Sequence, residues 1–162
     1  MSGLSPTVIT ADRHLQITKA LFFIIVGFVA LAILAALLIV QYNLHAWDLS
    51  YYGNIPGWTM AAVSLASLIV SKRIFNKGIT AAKNSLKPLI DKLNRYRSTL
   101  LVYLAICEVT AMLNIVVYIF TSDLAYLIFA AVLLGSMLAV MPLKRRLIAE
   151  LQLDSLQEKE LS

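Results

Sequence analysis

Residues 98–121 read STLLVYLAICEVTAMLNIVVYIFT, a run with a single charged residue, Glu108, near its centre. A helix rises ~1.5 Å per residue, and about 20 apolar residues cross a hydrocarbon core of ~30 Å. The run is therefore long enough to span a bilayer, and it sets the reading of its neighbours. Other apolar runs of that length belong in the same solvent, and charges should collect at their edges.

Three such runs accompany it. Residues 20–40, ALFFIIVGFVALAILAALLIV, carry no charge. A cleavable signal peptide has an apolar core of only ~7–15 residues and a small-residue cleavage site. This run is longer and leads into Gln41-Tyr42-Asn43, so it reads as an uncleaved span. Residues 55–70 form a shorter run whose start is punctuated by Pro56 and Gly57, so that helix is expected to begin near residues 51–54 or to cross with little tilt. Residues 124–143, LAYLIFAAVLLGSMLAVMPL, follow the central run after Thr121-Ser122-Asp123, room only for a tight hairpin. The pattern predicts an all-α, four-helix transmembrane bundle. It forms one domain over residues 1–162, with spans at 18–41, 53–72, 98–121 and 124–143.

Composition agrees. The 162-residue chain is 60% hydrophobic and 14% charged, against about 25% charged in soluble domains. Its net charge of +5 would suit a nucleic-acid binder, but the bases flank the spans and do not form a domain with stacking aromatics. Cys107 is the lone cysteine, which excludes an internal disulfide and a cysteine-cluster metal site. His45 and Asp48 are three apart, and two ligands do not make a metal site. There is no nucleophile–base pairing, phosphate-binding glycine loop or HExxH motif. Neither an enzyme nor a cofactor or metal protein is expected.

Charge sets the orientation. All 14 Lys and Arg lie before the first apolar run opens at Ala20, in residues 72–97, or after the fourth span. The two other connections carry only Asp48 and Asp123. Cytoplasmic loops hold the excess of Lys and Arg, so both termini are expected in the cytoplasm. Tyr42, Trp47, Tyr51 and Tyr52 in the first outer loop are of the ring types that gather at membrane interfaces.

The basic stretch 73–97 includes Lys77, Lys83, Lys87, Lys92 and Arg95. Ile79, Leu86, Ile90 and Leu93 recur among the bases at roughly helical spacing. Two readings follow: an amphipathic segment lying on anionic lipid headgroups, or a solvated linker whose bases only fix orientation. Pro88 should bend or split it. The tail 144–162 opens with Lys144, Arg145 and Arg146. It reads as a helix with Leu147, Ile148 and Leu151 on one face, and Ser155 with Glu158 forms a capping-box pattern.

Glu108 is the strongest pointer to function. An acid at mid-bilayer depth costs roughly 2.5–3.5 kcal/mol, and no Lys, Arg or His in the spans is placed to pair with it. Tyr103, Cys107, Thr110, Asn114 and Tyr118 advance by three or four and form one polar stripe, with Glu108 at its margin. Ser64, Ser67 and Ser71 line the second run, and Ala131, Gly135 and Ala139 the fourth; small residues let helices approach closely in lipid. Ser64, Ser67 and Ser136 are positioned to reach the stripe. Three readings stand: Glu108 is a neutral acid hydrogen-bonded within the bundle, it handles a proton or cation, or it meets a partner chain.

Cys107-Glu108 in the third run, Pro142 after the fourth, and Leu151-Gln152-Leu153 in the tail resemble a family of small four-span bacterial inner-membrane proteins with no assigned activity. The likeness covers roughly the last 65 residues. Relatives in that family tend to have Gly-Pro after the glutamate, where this chain has Val109-Thr110. Proteolipid rings of rotary ATPases and small multidrug exporters also use one intramembrane glutamate. The first are glycine-rich and oppositely oriented, and the second carry the acid in their first helix. The chain is thus expected to be a non-enzymatic membrane subunit or accessory protein that packs with a membrane-protein partner or a second copy. The alternative is a small proton- or cation-coupled carrier using Glu108, with Asn114, Thr110, Ser64 and Ser67 around it.

Overall fold

A computed structural model describes residues 11–42, 57–84 and 89–151. Five helices follow one another, and there is no strand among the described residues: α1 (Ala11–Gln41), α2 (Gly57–Lys83), α3 (Leu89–Thr121), α4 (Leu124–Ala139) and α5 (Lys144–Leu151). The outer-loop aromatics Trp47, Tyr51 and Tyr52, His45 and Asp48, Lys87 and Pro88, and the Ser155–Glu158 pattern lie outside the described residues.

The third apolar run is the axis. α3 packs against α1, α2 and α4, and α5 reaches back onto α2. Leu100, Leu104, Cys107, Ala111 and Asn114 on α3 are fully buried. α1 buries a narrow stripe of Phe22, Val26, Val29 and Ala36 and turns Phe23, Phe28, Leu31 and Leu38 outward. A helix apolar on all sides suits a buried core or a bilayer. Here the outward apolar residues recur on α2, α3 and α4 as well, far beyond the exposed patches of a soluble monomer. Three helices are long and apolar enough to cross a membrane, or four if the bent pair α4–α5 counts as one span.

Two boundaries differ from the sequence reading. The fourth run does not stay helical to residue 143. α4 stops at Ala139, and α5 leaves at 77° to it. Buried Pro142, which has no N–H to donate, stands between them. The stretch 73–97 is not a loop. Residues 73–83 continue α2, and residues 89–97 begin α3. A helical hairpin is sealed by Phe75, Ala82, Leu89, Leu93 and Tyr96, all buried, with Ile79 packed on them; of the other expected apolar positions, Ile90 is exposed and Leu86 lies outside the described residues. Lys77, Lys83 and Arg95 are exposed and Lys92 is half-buried. The hairpin leaves room at one point, where Gly78 on α2 faces Thr99 on α3.

The α3–α4 connection is the tight hairpin expected. Ser122 takes a left-handed conformation (φ 55°) and donates its N–H to the Tyr118 carbonyl at 2.8 Å, closing α3 as an αL cap does. Asp123 then caps α4, its carboxylate accepting from the Ala125 N–H at 3.0 Å.

Candidate functional site

The polar stripe of α3 is buried against serines from its neighbours. Asn114, fully buried, donates from Nδ2 to Ser64 Oγ of α2 and to the Thr110 carbonyl, both at 2.9 Å. The second contact requires a donor, so the amide nitrogen is the atom that faces it. This leaves the amide oxygen Oδ1 buried with no partner among the described residues.

One turn along α3, Thr110 and Ser67 meet hydroxyl to hydroxyl at 2.8 Å. Each also lies within bonding distance of its own i−4 carbonyl, Ile106 for Thr110 at 2.9 Å and Val63 for Ser67 at 2.8 Å. Each hydroxyl has a single proton, so two protons serve three contacts and are shared among them. A turn further on, the Cys107 thiol donates to Ser71 Oγ at 3.7 Å and lies 3.9 Å from Ser136 Oγ of α4. Tyr103 then donates its hydroxyl to the Ser136 carbonyl at 3.2 Å. Asn114, Thr110, Cys107 and Tyr103 thus form a continuous polar seam along about 16 Å of α3, at ~1.5 Å per residue.

Of the residues singled out in the sequence, the seam unites Asn114, Thr110, Ser64 and Ser67. It does not include Glu108. At about 100° per residue, Glu108 stands roughly 160° around α3 from Thr110. It is half-buried and makes no hydrogen bond or ion pair among the described residues. Lys77, Lys83, Lys92 and Arg95 lie apart from both, on the hairpin.

A second polar place was not legible in advance. Beyond Tyr103, the seam opens into a cavity of about 380 Å³ lined by Leu68, Lys72, Phe75, Tyr103, Arg146 and Glu150, among others. Arg146 pairs through Nε with Glu150 Oε1 at 2.6 Å and donates through Nη1 to the Ala139 carbonyl. Glu150 Oε2 is buried without a partner among the described residues, as is the Tyr96 hydroxyl. Burial drives the Tyr96 pKa well above its usual 10.0; the Glu150 carboxylate raises it further and Arg146 opposes both. The one available signal in the chain was Pro142 followed by Arg146 and Glu150 at i, i+4, a spacing that pairs charges on one helix face.

Fold and seam define a class: an all-helical protein with three to four membrane-length helices and a polar interface buried along the central one. Compared with known proteins, the chain matches no family model, no curated protein and no solved structure.

Proposed function

We propose that the chain is a multi-pass inner-membrane protein with both termini in the cytoplasm, working as a non-enzymatic subunit or accessory component of a larger membrane assembly. One observation carries the reading. Glu108 is half-buried on a membrane-length helix, on the side away from the seam that satisfies the other polar groups of α3. An unpartnered acid at that depth is costly. A donor or cation from another chain, or from a second copy, removes that cost.

The exposed bases of the hairpin, Lys77, Lys83 and Arg95, are then free to meet anionic headgroups or a cytoplasmic partner. The likeness to small four-span bacterial membrane proteins fits the same reading. So does the seam, whose hydroxyls bond between α2 and α3 and to their own helices.

The test is a photocrosslinking residue at position 108 in native membranes, with the Glu108→Gln chain compared for co-purifying subunits. An adduct with a second chain, and weaker co-purification of the variant with its helicity unchanged, are expected. The opposing reading is a proton- or cation-coupled carrier. Flux in proteoliposomes that depends on pH and disappears in Glu108→Gln would establish the carrier and overturn the accessory role.

A further inference from the structure

Beside the cavity at the α5 end lies a second space. Between α2 and α4, a groove of about 230 Å³ is lined by Ala61, Ser64, Leu65, Phe129 and Val132, and it shares Leu68 with the cavity. From Lys72 to Ala61 the two spaces together follow α2 for about 16 Å at ~1.5 Å per residue. One end holds two cations and a carboxylate, and the other end is almost wholly apolar.

We propose that the two spaces join past Leu68 to hold one molecule of anionic glycerophospholipid, with its phosphate on Lys72 and Arg146 and one acyl chain in the α2–α4 groove. Three features select that occupant. Arg146 uses Nε and one Nη1 proton within the chain, so three of its five N–H donors remain for a phosphate. Lys72 is exposed at the cavity and makes no bond among the described residues. With Glu150 offsetting one of the two cations, the cavity keeps a net positive charge suited to a single phosphodiester.

Glu150 Oε2 is buried without a partner among the described residues, so it is closed to a headgroup, and the selection rests on net charge. Basic pockets between membrane helices on the cytoplasmic side are recognised sites for anionic headgroups. This site is independent of Glu108 and of any protein partner.

The test uses the full chain, purified in detergent and delipidated, with lipid retention read by native mass spectrometry. Phosphatidylglycerol is expected to be retained in preference to phosphatidylethanolamine and phosphatidylcholine, and water-soluble glycerol phosphate not to be retained. Lys72→Gln, at an exposed position, should lower phosphatidylglycerol retention about five-fold. Ala61→Phe, which fills the groove, should lower it while leaving helicity unchanged. Equal retention of phosphatidylcholine or phosphatidylethanolamine, or an unaltered Lys72→Gln, overturns the proposal. Retention of glycerol phosphate alone overturns the lipid in favour of a soluble phosphate.

Discussion

Gly78→Ala tests whether the basic segment is a packed hairpin. A Cβ built on Gly78 would lie 2.9 Å from Thr99 Cβ and closer still to Thr99 Cγ2 and Oγ1. Contacts under 3.0 Å are essentially never seen for real Cβ atoms, and the atom met is the base of a β-branched side chain, which cannot swing clear. Forcing an extra methyl into a packed site costs about 1–3 kcal/mol. Against this, alanine gains ~0.5–1 kcal/mol over glycine inside a helix. The net expectation is a loss of up to ~2 kcal/mol. Gly27→Ala on α1 is the control. Nothing lies within 4 Å of its Cβ, so only the gain should appear. Thr99→Ala removes the two nearest atoms, and the double variant should recover ~1 kcal/mol of coupling. Reversible unfolding in mixed micelles, followed by circular dichroism, reads all four chains. If Gly78→Ala stabilises as much as Gly27→Ala, α2 and α3 do not meet there and the hairpin is wrong.

Two further perturbations probe the buried polar groups. Asn114→Ala removes two hydrogen bonds and leaves Ser64 without its donor, so unfolding should become easier by ~0.6–2 kcal/mol, the range for polar contacts between membrane helices. A stability unchanged within error would mean that the seam contributes nothing to α2–α3 packing. Tyr96→Phe deletes a buried hydroxyl with no partner among the described residues, and should be neutral or stabilising by ~1 kcal/mol at pH 7. The pH response of the same pair carries a sign. The raised phenol pKa means that above pH 10 the unfolded chain loses this proton first. Stability should therefore fall with a slope near 1.4 kcal/mol per pH unit from this group. Tyr96→Phe should flatten that limb, and identical alkaline limbs would show that Tyr96 is not held neutral by burial.

The apolar runs announced the helices because length and charge absence are local properties. The tight turn at Thr121-Ser122-Asp123 was legible for the same reason, since two residues between apolar runs leave few geometries. The polar stripe of α3 was also visible, as a spacing of three and four. Which side each flanking group took was a tertiary matter. Ser64 and Ser67 close on Asn114 and Thr110 only because α2 packs along that face, and Glu108 falls outside because the same packing turns it away. The amphipathic pattern in residues 73–97 left the neighbour of its apolar residues open for a related reason. Helices that bury apolar residues against each other, as α2 does with Phe75 and α3 with Leu93, have the same periodicity as helices that bury them in lipid. Arg146 read as one more orienting cation, because nothing local says that a bend will carry it back over α2.

That bend also decides how many times the chain crosses the bilayer. α4 has 16 residues, about 24 Å of helix against ~30 Å of hydrocarbon. By itself it is too short, and the non-helical stretch after it is tolerable at membrane depth only if its backbone groups are satisfied. A helix end frees four carbonyls, and each of these four has a donor. The Ser136 carbonyl takes the Tyr103 hydroxyl, Met137 takes the Val140 N–H at 3.1 Å, Leu138 takes the Met141 N–H at 3.2 Å, and Ala139 takes Arg146. Leu143 N–H then finds the Met141 carbonyl at 2.8 Å, and the Leu143 carbonyl accepts from Leu147 as α5 begins. With the last four α4 carbonyls paired, the break can sit at the edge of the lipid, and α4 with residues 140–143 makes up the missing length. Four crossings place the two chain ends on one side, whereas three place them on opposite sides. Cysteines introduced singly at the two ends, in a Cys107→Ser background, should react with an impermeant maleimide from the cytoplasmic face alone. Labelling of the two ends from opposite faces would mean that α4 does not cross, and the orientation drawn from the placement of Lys and Arg would fail with it.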